Sequence, residues 1–508
     1  KQLFSAVAPW LEVVTGHHGP PPKMLAIFLE NFFEVEDKQA ALEFTHALGE
    51  LLQPDLKPLT DKTLKKRLKA ASWQLAGVAV LTDWLGSNQD CFPYLTQPLS
   101  LCDYWENHAP LGVAKAWEVA PILPTPAATF SDIQSLFPFI SEPTPLQSFA
   151  TSMPTPSSPQ LVMLEDVTGA GKTEAALILV QRMMSEGSAD GLYVALPTMA
   201  TANAMYRRLG DCYRKLFTAD TRPSLVLAHG ARDYSDQFRQ SVALSTQPSD
   251  QRYEKGEVSA SAFCNAWLAD SRKKALLADV GVGTLDQALL AVLPAKHQSL
   301  RMLGLANKVL LVDEVHAYDP YMAELLATLL QAHARQGGNA ILLSATLPFN
   351  LREKFTRAYS AGLDDSAPQP KESAYPLITQ TSRNLYNEFS VATRPSVHRT
   401  VKVTPLSSEQ EALARIRAAV EAGQCVCWIR NTVGDARSAQ RLLANESWIP
   451  NEHTSLFHSR FAMLDRSRIE GDTLDRFGKE SGTQERQGRV LIATQVVEQS
   501  LDLDFDLM

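Results

Sequence analysis

The sequence predicts a multi-domain chain, with an α-helical region at the N-terminus and then two α/β lobes on parallel sheets, the second incomplete. Three observations predict it. Apolar strand-like runs alternate with helical stretches from Leu161 to about Leu351, the pattern of a parallel sheet with helical crossovers. A second, shorter run of this kind begins near Val401. Residues 1–110 are instead rich in helical patterning, as in Ala41, Phe44, Leu48 and Leu51 at three- and four-residue spacing.

The length of 508 residues suggests about three domains. An apolar fraction of 45% with 20% charged residues is an ordinary globular composition. No run approaches the roughly 18 unbroken apolar residues of a membrane span, and Lys1 onward lacks the pattern of a signal peptide. Six cysteines in so long a chain do not make a disulfide scaffold, and Cys425 and Cys427 alternate within a strand-like run. Reduced thiols and a cytoplasmic location are expected, with no membrane partner. The net charge of −8 argues against indiscriminate coating of nucleic acid but leaves room for a local groove. The chain starts without Met and stops inside a motif-rich stretch, so it reads as a fragment or the ordered part of something longer.

The first chemical motif follows the apolar run Leu161–Leu164. In Thr168-Gly169-Ala170-Gly171-Lys172-Thr173, glycines let backbone N–H groups close on phosphate oxygens, and the next helix aims its positive end at the same anion. Lys172 is expected on the β/γ-phosphates of ATP and the Thr173 hydroxyl on Mg²⁺. Asp166 stands where the usual motif has its first glycine, and by itself the loop could be a chance match. About 140 residues later, Asp313-Glu314-Val315-His316 follows the strand Val309–Val312. Carboxylates at such a strand end lie on the ligand-binding edge of a parallel sheet. Asp313 is expected to support Mg²⁺ and Glu314 to activate the attacking water.

Further candidates sit around these two motifs. Gln147 can offer an amide edge to adenine, or be an ordinary surface glutamine. Ser344 and Thr346 end the strand Ala340–Leu343 and can hydrogen-bond the acidic motif, which makes them candidates for coupling hydrolysis to movement together with His316. Pro197, Thr198, Thr201 and Asn203 after one strand, and Thr284, Asp286 and Gln287 after another, can donate to a nucleic-acid backbone or serve as helix N-caps. In the second α/β run, Thr494 and Gln495 follow Val490–Ala493 and would face a cleft if the two sheets stack.

These residues resemble a superfamily 2 helicase. The strings Asp313-Glu314-Val315-His316-Ala317-Tyr318-Asp319 and Gln495-Val496-Val497-Glu498-Gln499-Ser500-Leu501-Asp502 are similar to those of the helicase-nuclease of type I CRISPR systems, over nearly the whole chain. The resemblance implies two RecA-like lobes, with Asp502 a further ATP contact. It implies single-stranded DNA as substrate, 3′-to-5′ translocation and a guide-RNA surveillance complex as partner. It also implies an N-terminal HD nuclease. There His17 and His18 (in Thr15-Gly16-His17-His18-Gly19) and Asp83 (in Thr82-Asp83-Trp84-Leu85-Gly86-Ser87) belong to a set binding two divalent transition-metal ions. Imidazoles and carboxylates suit such ions. The expected layout is the C-terminal part of the HD domain at 1–115, a Pro-rich linker at 116–145, the ATP-binding lobe at 146–365, a connector at 366–400 and the second lobe at 401–508.

The family's remaining HD ligands are expected before Lys1, and its arginine-rich motif after Asp506. His458-Ser459-Arg460-Phe461 matches a family string without an assigned role. Two alternatives stay in view: a superfamily 2 RNA helicase, and an ATP-binding nucleic-acid switch without turnover.

Overall fold

Residues 2–16, 32–55, 57–61, 63–120, 122–229, 275–295, 297–394, 400–478, 481–497 and 503–508 are described by a computed structural model. The chain divides into two compact units, Lys1–Ala195 with Tyr206–Ala392, and Leu196–Met205 with Thr393–Met508.

The larger unit is organised by eight strands. These are β1 (Gln160–Glu165), β2 (Gly191–Leu196), β3 (Leu225–Ala228), β4 (Val280–Thr284), β5 (Lys308–Val312), β6 (Asn339–Ser344), β7 (Leu377–Ser382) and β8 (Leu385–Ser390). They lie in the order β3-β4-β2-β5-β6-β1-β7-β8. Strands β5, β6 and β1 run parallel, so their C-terminal ends share one edge. All six residues of β1, β2 and β6 are buried, as expected where helices cover both faces of a sheet.

Four strands escaped the sequence reading: β4, β7, β8 and the short Thr454–Phe457 of the smaller unit. β4 reads Val-Gly-Val-Gly-Thr, and its glycines admit β2: a Cβ on Gly281 would meet the Tyr193 ring at 2.7 Å. A close backbone approach of this kind erases the apolar pattern that marks a strand. The stretch 366–400, expected as a connector, holds β7 and β8, an antiparallel hairpin on the edge of the sheet. Its flanking prolines read as irregular chain, but none falls inside either strand.

The proline-rich stretch is stitched down. The backbone N–H groups of Thr125 and Phe130 donate to Asp279 and Ser185, and Ala128 N–H donates to Leu216 O at 2.9 Å. The N-terminal helices Gln2–Thr15, Val35–Leu52, Leu64–Ala70 and Ser72–Gly86 precede it. The last of them packs on the helix Gln298–Leu305. Gly77 makes that approach possible, since a Cβ there would stand 2.7 Å from Ser299 O. The stripe read over 41–52 does form a helix, but none of its described residues is buried.

The smaller unit carries β9 (Val426–Ile429), β10 (Thr454–Phe457) and β11 (Val490–Ala493), all parallel in the order β10-β11-β9. Alternate strand residues feed two cores, as the period of two demands. Val426, Val490 and Ile492 meet Ile416, Ala436 and Leu443, while Cys427, Leu491 and Ala493 meet Phe457 and Phe477. Cys425 and Cys427 are therefore core residues, and the five described cysteines are free thiols. No described helix is long and apolar enough to cross a membrane.

Candidate functional site

The site forms because β1, β6 and β5 are neighbours and each ends in a polar turn. The loop after β1 reaches the helix Lys172–Ser185 through Gly169 and Gly171, with φ of 83° and 85°. Any side chain would be strained there. Asp166 is not in that region of backbone space, so its position does not demand glycine. Its buried carboxylate accepts Val167 N–H at 2.7 Å, which shapes the turn. Burial pushes its pKa up, against the pull of that bond and of Lys172.

Lys172 is buried and donates to the carbonyls of Asp166 at 2.7 Å and Val167 at 2.9 Å. Its charge reaches the end of β5, where it draws down the pKa of Asp313 and opposes protonation of His316. The lysine and the acidic motif thus share one electrostatic site.

Asp313 accepts Glu314 N–H through Oδ1 at 2.8 Å, and its own N–H donates to Ala195 O. Burial raises its pKa to about 6, helped by the Glu314 charge. Glu314 sits at φ 51°, ψ 48°, a left-handed conformation that costs a non-glycine residue on the order of 1 kcal/mol and often marks a functional turn. Its Oε2 lies 3.3 Å from His316 Nδ1, which is also 3.2 Å from Ser344 Oγ. Ser344 Oγ donates its proton to Thr346 O at 2.6 Å. The His316 contact must therefore run from Nδ1–H to the serine oxygen, which assigns the tautomer. Burial, then Lys172, lowers the His316 pKa, against the pull of Asp313. The ring joins Glu314 to the Ser344–Thr346 turn.

A hydroxyl on Thr173 and a carboxylate on Asp313 are hard oxygen donors of the kind Mg²⁺ takes. Thr173 is half-buried at the start of the loop helix and Asp313 half-buried at the end of β5, so this donor set fits Mg²⁺.

Other expected residues take different places. Gln147 is buried, closing a capping box: its Oε1 accepts Thr144 N–H at 2.9 Å, and its amide nitrogen stands against Gly171. Pairing a base through the whole amide edge would require that cap to open. Thr198 and Thr201 bond to each other as a helix start, Thr201 N–H donating to Thr198 Oγ1 at 3.2 Å, beside half-buried Pro197 and Asn203. Thr284, Gln287 and Thr494 are buried, whereas Asp286 and Gln495 are exposed. Gln287 donates to Asp286 at 2.8 Å.

Asp83 lies half-buried on the helix Ser72–Gly86, next to Trp84, whose ring meets His297 edge-on at 5.1 Å. His17, His18 and Asp502 lie outside the described residues. Among the described residues no group of three or more His, Cys, Asp or Glu could hold a metal ion. His458 stacks on Phe461 at 4.2 Å, a packing role for the string left unassigned. The sequence reading missed Tyr318, whose hydroxyl donates to Asp313 O at 3.0 Å, and missed Glu165 and Arg352, a buried ion pair behind the loop. Tyr318 lay in plain view inside the acidic string, but no local signal marks Arg352.

The family model for the "Cas3, HD domain" matches residues 1–92, and that for the "CRISPR-associated nuclease/helicase Cas3, C-terminal" matches residues 422–508. The CRISPR-associated endonuclease/helicase Cas3 of Escherichia coli (strain K12) is 35% identical to this chain, over 98% of it and 56% of the relative. The chain is similar to Cas3 proteins along nearly its whole length. It spans little more than half the length of that Cas3 relative. The crystal structure of T. fusca Cas3 with ATP superposes with a TM-score of 0.79 at 28% identity, covering all of this chain and 58% of that one. A chain of a CRISPR RNA-guided surveillance complex, pre-nicking, superposes at 0.65 and 28% identity, covering 98% and 54%. The fold is thus multi-domain and Cas3-like, with a parallel-sheet α/β body. Its HD match stands at the N-terminal end of the chain, not the C-terminal end, and lies inside the 1–115 expected for that domain.

Proposed function

We propose that this chain is the motor-bearing part of an ATP-dependent single-stranded DNA translocase with a metal-dependent nuclease at its N-terminus, acting in type I CRISPR interference. One observation carries the reading. Lys172, Asp313 and the Glu314–His316–Ser344 relay stand on one edge of one sheet, at the ends of β1, β5 and β6.

In this reading the phosphates of ATP displace the loop carbonyls as partners of Lys172. Thr173 and Asp313 would hold Mg²⁺, which would supply positive charge beside the phosphates. Glu314 accepts the proton of the attacking water, and neutral His316 holds that carboxylate in place. A change at Glu314 then moves the Ser344–Thr346 turn, which couples hydrolysis to the polymer. Contacts to the sugar-phosphate backbone make passage tolerant of sequence. Target choice falls to a guide-RNA surveillance complex, in keeping with the similar chain found in such an assembly. His17, His18 and Asp83 are assigned to the nuclease metals, and the match to an HD domain over 1–92 supports that assignment.

The test is ATP hydrolysis by the full-length protein with and without single-stranded DNA. Stimulation that Glu314→Gln abolishes is expected. Turnover indifferent to Glu314→Gln would sink the mechanism, and stimulation by RNA alone would favour an RNA helicase.

A further inference from the structure

Behind the phosphate loop lies a charged cluster that the proposed mechanism leaves unused. Glu165 is the last residue of β1, directly before the loop. Its carboxylate faces Arg352 on the helix Phe349–Gly362, with Nη1 3.4 Å from Oε1. The same Nη1 lies 3.9 Å from Oε1 of Glu388 on β8. All three side chains are 5–7% exposed. Two carboxylates and one guanidinium make an unbalanced buried group, and an apolar trio of similar volume would serve stability as well or better.

The contacts of the cluster point to a different role. Leu347 N–H, one residue past the Ser344–Thr346 turn, lies near enough to Glu165 to pull its pKa down. Arg352 Nη2 donates to Glu372 O at 2.5 Å, and Glu388 Oε2 accepts the N–H groups of Lys371 and Glu372 at 2.9 and 3.1 Å. This holds a strap over residues 371–375. The strap then returns to the turn, where Tyr375 Oη donates to Ala345 O at 2.7 Å. The loop that grips phosphate and the turn that reads Glu314 are thus tied to one guanidinium. That guanidinium sits between two carboxylates, and among the described residues its Nε has no hydrogen-bond partner. It can move toward either carboxylate without losing all its partners.

We propose that Glu165, Arg352 and Glu388, with the strap they hold, are positioning residues that fix the Ser344–Thr346 turn against the phosphate loop and set how strongly DNA binding and ATP hydrolysis are coupled. This rests on the motor reading above. Burial supports it by raising the Glu165 pKa to about 7, a shift that Arg352 opposes and Glu388 assists. The other titratable groups felt there are Tyr375, Tyr386 and neighbouring Asp166.

The experiment measures kcat and KM for ATP in the full-length protein, with and without single-stranded DNA, for wild type, Glu165→Gln, Arg352→Lys and Tyr375→Phe. The ratio of stimulated to basal kcat should fall at least about fivefold in each variant. KM should stay within about twofold, because no phosphate contact is touched. The dependence of that ratio on pH around 7 should flatten in Glu165→Gln. Arg352→Met, measured beside Arg352→Lys, should lose more of the ratio, because only the lysine keeps the charge. If the buried variants fail to fold, Tyr375→Phe decides, since it removes one hydrogen bond from a side chain 46% exposed. An unchanged ratio in a folded variant, or a loss matched by an equal rise in KM, would overturn the proposal. Absence of stimulation in wild type would strike at the motor reading itself.

Discussion

Glu314 carries three burdens at once: a left-handed backbone, a half-exposed carboxylate and a histidine contact at 3.3 Å. A general base, the role proposed for Glu314, is typically worth a factor of about 10²–10⁴. Glu314→Gln should lower kcat for ATP hydrolysis by at least about a hundredfold with KM nearly unchanged, as read by phosphate release. Asp313 yields a prediction of opposite sign for stability. Its pKa in the fold is about 6 against 3.8 ordinarily. The unfolded chain therefore releases this proton first, and stability is lost as pH rises from about 4 to 6. Asp313→Asn should melt higher than wild type at pH 7, with the difference gone below about pH 4. Thermal unfolding across pH would show it, and an equal melting temperature at pH 7 would refute the burial argument. Function and stability pull apart at this residue, as active sites often require.

At the scale of elements, two glycines decide whether strands and loops can meet. Gly171 holds φ 85° and leaves no room for a Cβ against the Gln147 amide. Gly171→Ala should raise the Kd for ATP at least about tenfold and also lower the melting temperature, because a Cβ at this half-buried turn meets the buried Gln147 amide. Calorimetric titration with ATP tests this. Gly281 is buried in β4 under the Tyr193 ring. Gly281→Ala should cost about 1–3 kcal/mol in urea unfolding through overpacking, with a loss under about 0.5 kcal/mol counting against the packing account. The strands that were legible, from β1 to β11, are short runs dense in Val, Ile and Leu. Those overlooked were β4 with its glycines, the hairpin among prolines and the brief β10. Each lacks a local signal, because its strand state is imposed by the partner it pairs with.

For the whole molecule, the nuclease and the motor are expected to fail separately. His18→Ala and Asp83→Ala should each abolish metal-dependent cutting of single-stranded DNA and leave DNA-stimulated ATP hydrolysis within about twofold. Loss of both activities from either change, in folded protein, would mean that Asp83 serves the packing of its helix on Gln298–Leu305 rather than a metal. That contact explains the concern. The helix carrying Asp83 and the body carrying Lys172 fall in one compact unit, although the sequence reading placed a proline-rich linker between them. Prolines remove N–H donors but leave carbonyls, and here the intervening residues supply the N–H groups that fasten the stretch to the sheet body.

The order of motifs, the candidate roles of Lys172, Asp313 and Glu314, and the parallel α/β character were all readable in local sequence. Strand runs, glycines at a phosphate loop and carboxylates after a strand are short-range features, each with a direct chemical meaning. Only tertiary structure brought His316 between Glu314 and Ser344 and set Arg352 between Glu165 and Glu388. Those partners lie 28 to 187 residues apart in the chain where the bond crosses it. No periodicity or spacing encodes a meeting at that range. It follows from the order in which strands pair, and the free energy of burying the whole sheet selects that order.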